Sequence, residues 1–204
     1  MALIIGFNIL FAVPVFKFNA FYVVGAVFFG VLMVIAVDGL FAFIVRWMFP
    51  SKWFTYDKQG FCAEDKESKL LEKLGIKKWK DKVPELGSFT SFRKNKITDP
   101  KNNEYVKRYI LEANYGVMVH AMGMIFGFLI ILFYPLKYVF CFGLPIAIVN
   151  LVYNWLSFSI LRYNLPKLHK LYRINEKKAK REQKALDCNT ADNNQIQTEA
   201  FSET

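Results

Sequence analysis

Apolar residues along this chain gather into long blocks and the charges into two others, and that blocking decides the fold class. Spanning a bilayer takes about 20 mostly apolar residues, with a range of roughly 17 to 25. Ala20–Val45 meets that length with Asp38 as its only interruption, and Gly116–Tyr134 and Tyr138–Leu161 meet it as well. Ala2–Phe16 is shorter and ends at Lys17, so it reads as a thin first span or as a helix lying shallow. The pattern predicts an all-α integral membrane protein with four transmembrane helices in two hairpins, three being the alternative. The first block lacks a basic n-region and the apolar stretch continues far beyond a signal peptide, so it belongs to the mature protein.

Four segments follow from the blocks. Residues 1–50 form an N-terminal transmembrane hairpin and 51–111 a basic interfacial segment. Residues 112–165 form a second hairpin bearing the candidate site, and 166–204 a basic helix with a disordered tail. Arg46, Trp47 and Trp53 make an interfacial belt. Phe54–Glu67 is mixed and irregular, a helix is predicted from Ser68 to Leu74, and Gly75 suits its stop. Trp79 lies among lysines, a composition that suits the headgroup layer, and Val83-Pro84 forces an extended or turn geometry. Asp99-Pro100 marks a turn, and Glu104–Tyr115 resumes a helical pattern that runs into the third span. Asp187–Thr204 is polar and amide-rich and reads as disordered. No internal repeat is present, which counts against a repeat-built transporter.

Charge sets the orientation. The chain has 204 residues, 54% of them hydrophobic, and a formal charge of +10. Fifteen Lys and Arg lie between Lys52 and Arg108 and nine between Arg162 and Lys184, leaving only Lys17, Arg46 and Lys137. The positive-inside bias places both basic segments, and both termini, in the cytoplasm. Such a surplus attracts anionic lipid, or it receives a phosphorylated substrate such as a nucleotide or coenzyme A. Nucleic acid is excluded by the lack of any reading module. Cys62, Cys141 and Cys188 have neither metal-ligand nor disulfide-framework spacing.

One helical stripe carries the candidate chemistry. At about 100° per residue, Glu112, Gly116, His120, Gly123 and Gly127 fall within an arc of about 80°. Glycine at that spacing admits a close neighbour, and an ionisable group inside a span is a functional-site hypothesis by default. In the fourth span Asn150, Asn154, Ser157 and Asn164 share a face. Counting from the turn at Pro135 sets His120 level with Val152–Ser157. These groups either build a site or merely join two helices, at about 0.6 kcal/mol per contact. Glu112 has an ordinary partner in Arg108, four residues away, in a pair worth only a few tenths of a kcal/mol. Asp38 lies eight residues before Arg46, about 12 Å into the membrane, where it reaches His120 or is neutral and structural. His169, among Lys167, Lys170 and Arg173, reads as solvated. With two histidines in all, no histidine-rich metal site exists, and no Gly-rich phosphate loop or nucleophile elbow is present. His120 is therefore the one candidate general base, able to take a proton from an alcohol attacking a thioester or ester, an assistance worth about 10²–10⁴-fold. Glu112 sits about 12 Å from it along a straight helix, so it binds substrate or orders the basic loop.

Three segments in order resemble a known family. Ile76-Lys77-Lys78-Trp79-Lys80-Asp81-Lys82-Val83-Pro84-Glu85-Leu86-Gly87, then Glu112 with His120 eight later, then Tyr163-Asn164-Leu165-Pro166-Lys167-Leu168 are similar to the glycosyl-4,4'-diaponeurosporenoate acyltransferases. These are small bacterial membrane proteins of staphyloxanthin-type carotenoid biosynthesis. The resemblance covers roughly Leu74 to Arg173 and implies transfer of a fatty acyl group to a sugar hydroxyl of a glycosylated carotenoid acid. It singles out Trp79, Lys80, Pro84, Glu112, His120, Tyr163, Asn164 and Pro166. Two positions depart from it: Val117 stands where the family often has a second glutamate, and Leu165 where it often has Arg. Asp38 or Glu112 then replaces the orienting carboxylate, or the substrate differs, or acyl transfer is lost.

The combined expectation is an acyltransferase of the bacterial inner membrane. His120 and Glu112 are its catalytic candidates and Asp38 a possible orienting carboxylate. The substrate-binding set is Trp79, Lys80, Lys82, Pro84, Glu85, Asn154, Tyr163, Asn164 and Lys167. Lys80 and Lys82 would meet the phosphates of an acyl-CoA donor, and Asn154 or Asn164 would position a glycosylated lipid or carotenoid acceptor. No bound cofactor or metal is expected. A non-catalytic scaffold using the glycine face, and a small transporter using Asp38, are the rival readings.

Overall fold

The computed structural model describes residues 19–83 and 97–202, and every regular element among them is helical. Helix α1 (Ala20–Met48) opens on Asn19, whose side chain accepts the Phe21 N–H at 2.9 Å. It stops where Phe49 turns extended ahead of Pro50, the geometry that proline imposes on the residue before it. Phe21, Phe28, Leu32, Ile35 and Phe43 are exposed along it, a surface suited to lipid. Helix α2 (Asp65–Lys73) starts three residues before the expected Ser68, because Asp65 and Glu67 place negative charge against the amide end of its first turn. Gly75 ends it in the left-handed region (φ 74°), as the sequence predicts. Helix α3 (Ile76–Trp79) and a 3-10 turn over Lys80–Lys82 follow, and Val83 is extended.

Helix α4 (Asn103–Phe126) is capped by Asn102, which accepts the Tyr105 N–H at 3.1 Å, and it runs without a break through Gly116. A 3-10 stretch over Gly127–Phe133, the turn at Pro135 and a π-turn over Val139–Gly143 lead into helix α5 (Leu144–Ser202). Three stretches among the described residues are long and apolar enough to cross a membrane: Phe21–Met48, Asn103–Phe133 and one within Leu136–Asp187. The expected span at Ala2–Phe16 lies outside the described residues, as do Pro84 and Glu85. Helix α5 continues to Ser202 through the segment expected to be disordered. Asp187–Thr204 contains neither Pro nor Gly, so its sequence has nothing that breaks a helix already formed.

The core is layered along the bundle. Val23, Val27, Ile130, Phe142 and Ile146 fill one end. Val106, Ile110, Val117, Leu161 and Leu165 fill the other. Between them lie the polar groups of Asp38, His120, Asn150 and Asn154. Helix α1 runs antiparallel to α4 in a register that two contacts fix. Arg46 pairs with Glu112, and eight residues away on each helix Asp38 and His120 meet through Asn154.

The segment from Ser51 to Val83 is bound to the basic end of this bundle. Phe54 stacks on Tyr115 with ring centroids 4.1 Å apart, and the buried Asn114 amide donates to the Phe54 carbonyl at 2.9 Å. Pro166 supplies another attachment. Lacking an N–H, it leaves the Arg162 carbonyl without its helical donor, and the Ala63 N–H takes that carbonyl at 3.1 Å.

Candidate functional site

The glycine stripe of α4 lies against α5 of the same chain. A Cβ on Gly123 would stand 2.7 Å from Asn154 Oδ1, one on Gly127 would stand 2.1 Å from Asn150 Nδ2, and one on Gly116 2.8 Å from Leu161 Cδ1. Gly123 and Gly127 thus let two asparagines enter the helix interface while Gly116 admits Leu161, and the stripe is filled from within. The pairing of His120 with Asn154 falls inside the Val152–Ser157 window read from the Pro135 turn.

Half-buried His120 places Nδ1 at 2.8 Å from Asn154 Oδ1. Asn154 Nδ2 faces Asp38 Oδ2 at 3.0 Å, Asn150 Oδ1 at 3.0 Å and the Asn150 carbonyl at 3.2 Å. A backbone carbonyl only accepts, so the amide nitrogen of Asn154 must face it and the amide oxygen must face His120. His120 therefore carries its proton on Nδ1, and Nε2 is its accepting nitrogen. Asn150 is tied in by donating to the Gly123 carbonyl at 3.3 Å. Two further oxygens of this layer, Asp38 Oδ1 and Ser157 Oγ, are buried with no hydrogen-bond partner among the described residues. Leaving a buried polar atom unsatisfied costs about 1–3 kcal/mol, so these are places where a hydroxyl would be welcome.

Val117 is buried in the apolar layer with Leu161 and Leu165. Asp38 reaches His120 through the Asn154 amide rather than directly. Glu112 is two helical turns from His120 and engages both terminal guanidinium nitrogens of Arg46, with Nη1–Oε1 at 3.4 Å. Arg46, not the expected Arg108, is its ion-pair partner, and the guanidinium also lies 5.4 Å from the Tyr115 ring centroid.

Five of the other expected site residues line two grooves at the basic end. Lys80, Asn164 and Lys167 line one cavity of about 300 Å³, with Tyr109 and Leu168. Lys82 lines the other, about 410 Å³ and mainly apolar, with Trp79, Tyr153, Trp155 and Leu156. Trp79 is half-buried. Its Nε1–H donates to the Leu74 carbonyl at 3.0 Å and its ring lies 6.4 Å from that of Trp155. Tyr163 is buried and donates to Glu72 at 2.6 Å, while Lys77 approaches the same carboxylate at 2.8 Å. The Lys77 ammonium first, and the Tyr163 hydroxyl second, hold the Glu72 carboxyl below the usual carboxylate range. The Lys167 ammonium caps the Tyr163 ring at 3.9 Å.

Sequence reasoning missed Arg46, Glu72 and the bidentate Glu67–Arg162 pair at 2.9 and 2.7 Å. It also placed His169 in solvent, whereas the residue is only 7% exposed. Gln59 and Cys62 line a cavity beside it, and no periodicity in α5 foretells that neighbour. Among the described residues no group of three His, Cys, Asp or Glu is placed to hold a metal ion.

The family model for glycosyl-4,4'-diaponeurosporenoate acyltransferase matches residues 50–174, a region that holds His120, Asn154 and both grooves. Asp38 and Arg46 fall outside it. No curated protein and no solved structure matches the chain.

Proposed function

The chain belongs to the glycosyl-4,4'-diaponeurosporenoate acyltransferase family, and on that premise we propose that it moves a fatty acyl group onto a sugar hydroxyl of a glycosylated lipid or carotenoid, with His120 as general base. The observation that carries this reading is the chain from Asp38 through Asn154 to His120, which makes Nε2 the accepting nitrogen. As the sugar oxygen attacks the carbonyl carbon of an acyl thioester, its proton passes to Nε2. The C–O bond forms, the C–S bond breaks, and the imidazolium returns the proton to the departing thiolate. The Nδ1–H points at an amide oxygen whose far end faces the Asp38 carboxyl, which fixes the ring's tautomer. Base assistance of this kind contributes about 10²–10⁴-fold.

The buried oxygens Asp38 Oδ1 and Ser157 Oγ suit the neighbouring hydroxyls of a sugar. Lys80 and Lys167 suit the phosphates of an acyl-CoA donor, and the Trp79–Trp155 groove suits an apolar chain. Between Asn164 and Asn154 the donor's flexible arm would cover about 15 Å of helix rise. The basic end would face the cytoplasm, following the positive-inside bias.

Lipid-extract mass spectrometry tests the reading, on cells that supply a glycosylated acceptor and express wild type or His120→Ala at matched protein levels. A lipid heavier by one acyl group and present only with wild type is expected. Identical polar and pigment fractions from the two cultures would remove His120 from catalysis.

A further inference from the structure

A further cavity lies beyond both grooves, where α5 passes the Gln59–Ala63 segment. Its volume is about 550 Å³ and its lining includes Gln59, Cys62, His169, Lys170, Arg173 and Lys177. That volume falls within the range of about 300–1,000 Å³ typical of small-molecule sites.

Its lining carries basic side chains and no acidic one. Lys170, Arg173 and Lys177 recur at helical spacing along one face, and none forms an ion pair among the described residues. The adjacent Lys178 and Lys180, outside the cavity lining, are paired with Glu182 at 3.8 Å and Glu176 at 3.1 Å. The acidic group whose charge reaches His169 is Asp57, which already engages the Thr55 hydroxyl and Lys58. His169 lines the cavity 7% exposed, and its Nε2 is buried without a hydrogen-bond partner among the described residues. One guanidinium, two ammonium groups and a side-chain amide form a donor-rich set. It suits phosphate oxygens, which Arg engages in pairs and Lys as a point charge.

The position along α5 selects the source of the phosphate. Lys170 to Lys177 stand nine to sixteen residues past Leu161, about 14–24 Å of helix rise. Lipid headgroups occupy only about 5–8 Å outside the hydrocarbon on each side. The site also stands about 28 Å of helix rise from Asn154 to Arg173, so it is separate from the His120 layer and does not rest on acyl transfer. We propose that this cavity binds a small soluble ligand carrying two or more phosphate groups, held by Lys170, Arg173 and Lys177.

Inorganic pyrophosphate is the probe, titrated by calorimetry into the full-length protein in neutral detergent at fixed ionic strength. Cys62 alkylation by N-ethylmaleimide, followed by peptide mass spectrometry, localises the binding. The variant pair is R173Q/K177Q against K178Q/K180Q, which remove equal charge from inside and outside the cavity. Pyrophosphate should slow Cys62 alkylation in wild type. R173Q/K177Q should weaken binding about tenfold or more, as expected for lost charge-assisted hydrogen bonds. K178Q/K180Q should stay within about twofold, since screened exposed charges contribute little. Equal losses in both pairs, or no protection of Cys62 at saturating pyrophosphate, would overturn the proposal. So would a defect confined to flotation of R173Q/K177Q with phosphatidylglycerol vesicles while pyrophosphate binding is unchanged, which would give the cavity to lipid headgroups.

Discussion

Gly123→Ala adds one methyl group at the point where α4 and α5 hold the base in place. The new Cβ would stand 2.7, 2.8 and 2.9 Å from Asn154 Oδ1, Cγ and Nδ2. The Asn154 amide cannot simply rotate away, because His120 holds its oxygen while Asp38 and Asn150 hold its nitrogen. Overpacking of this kind costs about 1–3 kcal/mol. Relief to an ordinary contact of about 3.4 Å moves the amide by roughly 0.6 Å, and a 1 Å misplacement costs about 10²-fold in rate. Roughly a tenfold or greater loss of turnover is therefore expected. The same substitution at Gly116 meets only the rotatable Cδ1 of Leu161 within 3.9 Å, and at Gly39 nothing lies within 4 Å. Gly116→Ala should keep most activity and Gly39→Ala all of it. Initial acyl-transfer rates in reconstituted protein, read beside thermal unfolding in detergent, separate the three. If Gly123→Ala turns over as fast as Gly39→Ala, the proposed coupling of Asn154 to the base is refuted.

Other parts of the account make their own predictions. A double-mutant cycle on Arg46→Ala and Glu112→Gln should give a coupling of about 1 kcal/mol or less for this part-exposed pair, with turnover changed only a few-fold. A loss of 10³-fold or more in Glu112→Gln alone would make Glu112 a catalytic group instead. Pro166→Ala returns a helical donor to the Arg162 carbonyl and so competes with the Ala63 N–H. Hydrogen exchange at Ala63 should accelerate by about fivefold, the worth of roughly 1 kcal/mol, and unchanged protection would argue against that role for the proline. Glu72 titrates below its usual range, so the tether it makes with Tyr163 and Lys77 is fully present above about pH 4.3 and is lost as the pH falls through the depressed folded value. The Trp79 fluorescence, isolated by subtracting a Trp79→Phe protein, should hold steady down to about pH 4.3 and shift below it. A transition near neutral pH would contradict this assignment.

What the sequence made legible follows from which relations period and turn length can encode. A 3.6-residue period with no break at Gly116 is enough to align Glu112, His120 and the glycines, and a short turn at Pro135 sets α5 against α4 within a few residues. Residue counting on either side of that turn is therefore enough to match Asn154 to His120. The placement of α1 is a different matter. The long basic segment between them leaves the register of α1 on α4 unspecified, so the sequence offers Asp38 as a candidate without saying that an asparagine mediates its reach. Arg46–Glu112 and Glu67–Arg162 span 66 and 95 residues, and no local pattern links such partners. Arg108, four residues from Glu112, is the natural local choice, and the fold does not take it. His169 is misread for a similar reason. Its burial depends on the Gln59–Ala63 segment, whose docking uses a carbonyl left open by Pro166.

The central claim is that His120 moves the proton, and His120→Gln tests it most directly. The measurement is kcat and KM for acyl transfer by purified protein, with a glycosylated carotenoid acceptor and a thioester donor at a pH near 7. The account predicts a fall in kcat of about 10²–10⁴-fold with KM little changed and the bundle still folded by thermal unfolding. Turnover within about threefold of wild type in a folded His120→Gln protein, far short of the loss a general base implies, would contradict the account.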